Sequence, residues 1–352
     1  MTDTLLIYGA YGYTGQLIVE RAVRAGLKPC VAGRDSAKTA ALAKQYDLLH
    51  IAFDLSNSKG LKQSLKRRGA VLHCAGPFSA TAAPMMEACI AAGTHYCDIT
   101  GEIDVFALGH SLDAKARKAG VAIVPGVGFD VVPTDCLAAM LKEELPDATE
   151  LILAFDAGGG PSRGTALTSV EGLRSGGRVR RDGKLVRVAT GFRTRRFAFP
   201  KGERAAVTIP WGDVYTAFVS TGIPNIEVYM AMPPRLIAMQ RRLRFFAPLL
   251  ALPPAQWALK QLVKSRVSGP DDTRRQGTDA QVYGEVRNSK GEVRKGTLVT
   301  PNGYDLTADA ALAIARHLHD DSSAHAGFYT PSLLMGAGFV KQLPGVKASI
   351  AA

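Results

Sequence analysis

The sequence predicts an α/β protein: an N-terminal doubly wound parallel-sheet domain, then a second α+β domain built on a mainly antiparallel sheet. Three observations carry this. Short apolar runs alternate with helical periodicity through residues 5–124, as expected for strands covered on both faces by helices. A glycine-rich turn follows the first run. Beyond residue 130 the alternation gives way to longer strand-like segments, two of them joined by the turn Asn288-Ser289-Lys290-Gly291. The expected division is residues 1–130, 131–304 and 305–352, the last a helix and tail packing back on the first domain.

The first strand is Leu5-Leu6-Ile7-Tyr8, and Gly9-Ala10-Tyr11-Gly12-Tyr13-Thr14-Gly15 leads from it into a helix over 16–25. Gly9 suits a tight turn, Gly12 lets a pyrophosphate approach the backbone, and Gly15 lets helix and strand pack closely. With Tyr11, Tyr13 and Thr14 they form the expected cradle, where the amides and dipole of the helix start favour an anion. This is the pattern of a dinucleotide-binding Rossmann domain.

The second strand ends at Gly33, and Arg34 follows where an NAD-binding chain carries a carboxylate for the ribose. A guanidinium there clamps a 2′-phosphate, so the expected cofactor is NADP (NADPH), with Asp35 the rival partner for a ribose. Residues 36–46 read as a helix capped by Ser36, and 50–54 as a strand ending in Asp54, placed to meet the adenine amine. A polar helix over 58–66 precedes the strand 70–74, which ends in the loop Ala75-Gly76-Pro77-Phe78, at the sheet edge where ligands collect. A helix over 82–92, a strand over 94–98, a helix over 105–119 and a strand over 121–124 complete the alternation.

Composition narrows the function classes. The chain has 352 residues and no 18-residue uncharged apolar run, so no spanning helix is expected. Its first strand begins by residue 5, leaving no room for a signal peptide. Five cysteines (Cys30, Cys74, Cys89, Cys97, Cys136), an odd number without a CxxC pair, read as free thiols in a cytoplasm, and no metal site is expected. No Walker pattern or zinc spacing occurs. The short-chain dehydrogenase Tyr-Lys pair is lacking too, since Tyr96 is followed four residues on by Thr100.

The net charge of +12 is local: residues 163–204 carry twelve basic and three acidic residues, and 235–275 nine basic against Asp271 and Asp272. Such fields attract acidic partners. No nucleic-acid module accompanies them, so nucleic acid is not expected. An acidic carrier protein, a phosphorylated cofactor arm and an anionic membrane surface are the readings, beside a merely solvated basic surface.

In the second domain a helix is expected from Thr134 through Glu144, strands over 150–156, 205–209, 225–232, 280–287 and 295–300, and a helix over 307–317. Gly9 through Gly15, Cys74-Ala75-Gly76-Pro77-Phe78, Tyr96-Cys97-Asp98-Ile99-Thr100-Gly101-Glu102 and Gly128-Phe129-Asp130-Val131-Val132-Pro133-Thr134-Asp135 resemble the saccharopine dehydrogenase-like superfamily. With Ser268-Gly269-Pro270, Asn302-Gly303-Tyr304 and Thr330-Pro331 they look most like its bacterial branch of trans-acting enoyl reductases of lipid biosynthesis. That resemblance implies an NADPH-dependent oxidoreductase, and it speaks to fold and cofactor more than to substrate.

The basic, apolar-clustered flap at 233–265 favours a lipophilic or carrier-linked substrate over a small amino acid. Peripheral contact with the inner membrane face is another reading, and so is a helix pair that buries its apolar side in a homodimer interface or in the second domain. Hydride transfer belongs to the nicotinamide, which is expected beside Ala75, Gly76 and Pro77. The candidates facing it are Tyr96, Asp98 and Asp130 as catalytic groups, with Thr100 and Glu102 alongside. A carboxylate in an apolar cleft would have a raised pKa and deliver the proton. Reduction of an enoyl C=C is the leading reading. A saccharopine-type imine or amino-acid reductase and a non-catalytic NADPH-binding sensor are the alternatives.

Overall fold

A computed structural model describes residues 5–157, 167, 170, 176–243, 249, 252–266, 277–320 and 325–351. Among the sequence readings, Arg163, Glu171, Arg174, Arg244, Asp271, Asp272 and the Ser268-Gly269-Pro270 motif lie outside these residues. The chain forms two compact units, residues 1–132 with 304–336, and residues 133–303 with 337–352.

The first unit is a seven-stranded sheet. Strands β1 (Leu6–Tyr8), β2 (Cys30–Gly33), β3 (His50–Ala52), β4 (Ala70–His73), β5 (His95–Asp98) and β6 (Ala122–Val124) are all parallel. Five of these are buried at every residue. Only the edge strand β3 is partly open, which is why its sequence is the least apolar. Helices α1 (Tyr13–Arg24), α2 (Ser36–Tyr46), α3 (Ser58–Leu65), α4 (Phe78–Ala92), α5 (Ile103–Ser111) and α6 (Asp113–Ala119) are the crossovers. The single helix expected over 105–119 is divided at Leu112. The cap of α2 is Asp35 and not Ser36: its carboxylate accepts from the Lys38 amide at 3.0 Å.

Helix α7 (Val132–Glu144) leads into the second unit. Its sheet runs β10 (Thr194–Phe199), β11 (Gly202–Thr208), β12 (Asn225–Ala231), β7 (Ala148–Asp156), β13 (Asp279–Asn288), β14 (Val293–Pro301), β16 (Lys347–Ala351), with the hairpin β8 (Gly177–Arg181) and β9 (Lys184–Val188) branching from β12. Apart from the parallel pair β12–β7, its recorded pairings are antiparallel. Helices α8 (Asp213–Thr221), α9 (Pro234–Leu243) and α10 (Pro253–Arg266) belong to this unit. Phe197, Phe199, Tyr229 and Tyr283 form an aromatic cluster on one face. On α7, Leu137 and Leu141 approach β13 and β14, where a Cβ on Gly284 would stand 2.6 Å from Leu141 Cδ1. Any larger residue there would push helix and sheet apart.

The C-terminal expectation is corrected in part. Helix α11 (Gly303–Asp320), strand β15 (Gly327–Phe328) and helix α12 (Pro331–Met335) do return to the first unit, where β15 extends the parallel sheet beside β6. Residues 337–352 do not: β16 pairs antiparallel with β14 and closes the edge of the second sheet.

The strands β8, β9 and β10 are missing from the sequence reading because basic residues obscure their alternation. The structure also shows where that charge goes. Arg181 and Arg193 meet the buried carboxylate of Glu227, and Arg195 meets Glu285 at 2.8 Å. Arg196 pairs with Glu203, Lys201 with Asp279 and Arg204 with Asp156. Arg180 is buried, donating to the carbonyls of Val214 and Gly183 and lying over the Phe218 ring. Much of the described part of 163–204 is therefore neutralised within the fold, which corrects its reading as an open basic field.

Candidate active site

The sheet order places β1 between β4 and β2, so the crossovers reverse direction between β1 and β4, where open α/β sheets bind nucleotides. Gly9 lies there with φ +79°, and a Cβ on it would stand 2.8 Å from the Ala75 amide nitrogen. The two loops leaving β1 and β4 thus come together, and only glycine permits both the conformation and the contact. A Cβ on Gly15 would meet Ala10 Cα at 2.9 Å, and one on Gly12 would stand 3.1 Å from the Gly9 carbonyl oxygen. Gly12 caps α1 without any side-chain hydrogen bond, and the first turn of α1 carries no acidic residue. The positive end of that helix dipole is left to an external anion, so the cradle fits a pyrophosphate.

Helix α4 is the contrast. Its first amides already hold an anion: Phe78 and Ser79 donate to the Glu102 carboxylate at 3.0 and 2.7 Å. This cap starts α4 at Phe78, four residues before the expected 82. Glu102 therefore anchors the Ala75-Gly76-Pro77 loop. Gly76 is exposed at the sheet edge and Ala75 and Pro77 are half-buried.

At the end of β2, Arg34 is exposed. Asp35 is occupied with the cap of α2, and its amide donates to the Tyr11 hydroxyl at 3.2 Å. The Tyr11 ring covers Gly33, where a Cβ would collide with it. Lys38, one helical turn beyond Arg34, stands 5.9 Å from the Tyr11 ring. Sequence reasoning passed over Lys38. The i, i+4 spacing from Arg34 was the available signal, and the Lys38 ammonium stands 3.6 Å from the Asp35 carboxylate. Asp54 accepts from the Ser56 amide at 2.8 Å, and that bond holds its carboxyl below the usual range, with help from nearby Arg34.

The three proposed catalytic groups differ in burial. Tyr96 and Asp98 are both 0 % exposed, so neither opens to solvent. Asp98 accepts from the Tyr96 hydroxyl (2.5 Å), the Thr100 amide (2.9 Å) and the Gly126 amide (3.0 Å). It ties the ends of β5 and β6 together, a positioning role. Burial pushes its pKa to about 6 despite these three donors. Thr100 is buried too, and its hydroxyl accepts from the Glu102 amide.

Asp130 differs. It is only half-buried, and its carboxylate lies beside Gly101, where a Cβ would stand 2.6 Å from Asp130 Oδ2. Burial and then the neighbouring Glu102 carboxylate push its pKa up to about 7. A group that is half protonated at neutral pH and reaches solvent is suited to acid–base work. Burial depresses the pKa of His73 to about 3 and so holds it neutral, and its Nε2 meets the Thr81 hydroxyl at 3.0 Å. Among the described residues no group of three metal-ligating side chains converges.

Residues 5–124 match the saccharopine dehydrogenase NADP-binding domain. A saccharopine dehydrogenase-like oxidoreductase of Rattus norvegicus is 30% identical over 173 residues, 43% of this chain and 40% of that protein. A trans-acting enoyl reductase of Mycobacterium bovis is 28% identical over 188 residues, 49% of this chain and 44% of that protein. Each of these alignments thus spans less than half of the relative's length. In fold, the chain is similar to an apo saccharopine dehydrogenase (L-Glu forming) from Saccharomyces cerevisiae, with a TM-score of 0.67 at 13% identity, covering 99% of this chain and 100% of that one.

Proposed function

We propose, from the premise that residues 5–124 are an NADP-binding domain of the saccharopine dehydrogenase type, that the chain is an NADPH-dependent reductase of an enoyl group on a lipophilic or carrier-linked substrate. The observation that carries a catalytic role is Asp130, a solvent-reaching carboxyl with a pKa near neutrality at the carboxyl edge of the nucleotide-binding sheet. The enoyl substrate is supported by the mycobacterial relative and by the flap at 233–265.

The start of α1 would hold the pyrophosphate of NADPH, and Arg34 with Lys38 its 2′-phosphate; the cofactor so held would supply the hydride for the β-carbon of the C=C bond and be oxidised to NADP⁺. Asp130 in its acid form would give a proton to the α-carbon, and water would reprotonate the carboxylate, so that hydride and proton together saturate the double bond. Tyr96, Asp98 and Glu102 keep the loops of β4, β5 and β6 in register around that carboxyl.

The test is NADPH consumption with enoyl thioesters and cyclic imines side by side. Turnover of a long-chain enoyl thioester that falls as pH rises above about 7, where Asp130 loses its proton, is the expected result. Turnover of the imines alone would replace the enoyl substrate. Tight NADPH binding with no turnover of either class would favour a sensor.

A further inference from the structure

Six of the twelve strongly exposed large apolar side chains among the described residues fall within residues 236–262: Leu236, Met239, Leu249, Leu252, Trp257 and Leu262. Trp257 is 67% exposed, Leu249 61% and Met239 52%. Both helices have a covered side, so the exposure is not that of unpacked segments. On α9, Ile237 is buried, and a Cβ on Gly191 would stand 3.3 Å from Arg241 Cγ. On α10, Gln256 is buried and donates to the Val170 carbonyl, with Leu259, Lys260 and Val263 on its half-buried side. Trp257 and Leu262 therefore point outward by the helix geometry itself.

The charge along this segment is of one sign. Between Glu227 and Asp271 the sequence holds no acidic residue and seven basic ones. On the outward stripe of α9, Arg235 and Arg242 flank Leu236 and Met239. Among the described residues Arg235, Arg241 and Arg242 have no carboxylate partner, unlike the paired arginines of β8–β10.

Exposed apolar anchors on α9 and α10, Trp257 among them, together with the unpaired arginines of α9, suit the boundary layer of an anionic bilayer. There Leu, Met and Trp enter the headgroup–acyl boundary while arginines meet lipid phosphates. We infer that α9 and α10 dock this protein reversibly on an anionic lipid surface. Among the described residues no helix is long and apolar enough to cross a membrane, so the contact is peripheral. Docking on lipid requires only the exposed side chains of α9 and α10, not the Asp130 chemistry.

The chain reports on its own docking, because it has only two tryptophans. Trp211 packs on Phe155 with its ring nitrogen buried, so a change in emission belongs to Trp257. Titration with phosphatidylglycerol–phosphatidylcholine vesicles should shift the emission to the blue and carry the protein into the vesicle pellet. Pure phosphatidylcholine should do neither at the same concentration. Each cation near an anionic leaflet contributes about five-fold in affinity, so combining Arg235→Gln, Arg241→Gln and Arg242→Gln should weaken vesicle binding roughly a hundred-fold. NADPH affinity should be unchanged, which also shows that the variant is folded. Absence of both shift and pelleting with anionic vesicles would overturn the inference. So would a blue shift that grows with protein concentration in the absence of lipid, the signature of a second copy on this face. A shift produced by an acidic acyl carrier protein but not by vesicles would assign the surface to that partner instead.

Discussion

Replacing Asp130 by Asn separates the physics of the site from any knowledge of the substrate. The change keeps shape and removes the charge that the fold disfavours. Raising the carboxyl from 3.8 to about 7 corresponds to on the order of 4 kcal/mol against the ionised form at about 1.4 kcal/mol per pH unit. Partial contact with water reduces this, and about 2 kcal/mol is the expected gain for the variant. The sign follows from linkage. A carboxyl whose folded pKa lies above its unfolded value lends its stability at low pH and loses it as pH climbs from about 4 to 7. Wild type and Asp130→Asn should therefore unfold alike at pH 4, diverge through that window, and differ by a constant amount above it. At roughly 2–4 °C per kcal/mol for a unit of this size, the variant should melt several degrees higher at pH 8. Thermal or urea unfolding at pH 4, 6 and 8 reads this directly. Equal stability at all three would refute the claim that burial and Glu102 suppress the charge, and with it the argument for Asp130 as proton donor. On the reductase reading the same variant should lose about a hundred- to ten-thousand-fold in turnover, a loss of function accompanied by a gain of stability.

Other outcomes follow from the site. Arg34→Ala should weaken NADPH by about ten- to a hundred-fold, from the loss of about 1.5–3 kcal/mol of charge-assisted contact, and leave NADH unchanged; calorimetry with both cofactors checks it. Lys38→Ala should act in the same direction, and an unchanged NADPH-to-NADH preference in the double variant would remove the 2′-phosphate assignment. Gly12→Val should abolish dinucleotide binding in a folded chain, since the branched side chain fills the pyrophosphate space; unchanged affinity would refute the cradle. Glu102→Gln should cost about 1 kcal/mol through the weakened cap of α4 and move the Asp130 titration to lower pH by removing its neighbour's charge. A pH profile that stays put would show that Glu102 does not set it.

The first unit was legible because its determinants are local. A strand buried on both faces must be apolar throughout, so Leu5 through Tyr8 and residues 70–74 announce themselves, and glycines at 9, 12 and 15 have few other uses after such a run. The second unit was legible only where its strands alternate without interference. Strands β8 and β10 were lost because arginines in or beside them serve as partners for Glu227 and Glu285, which lie 34 to 90 residues further along the chain. A sequence shows charge but not pairing, so two basic stretches of similar composition looked alike. Tertiary structure alone decided that much of one was paired with carboxylates within the fold, while in the other Arg235, Arg241 and Arg242 kept no carboxylate partner among the described residues. The same holds at the site. Tyr96, Asp98, Glu102 and Asp130 were all plausible proton carriers by residue type. Their roles diverged through burial and partners: two sealed beneath the sheet edge, one committed to a helix cap, and one left open to solvent beside it.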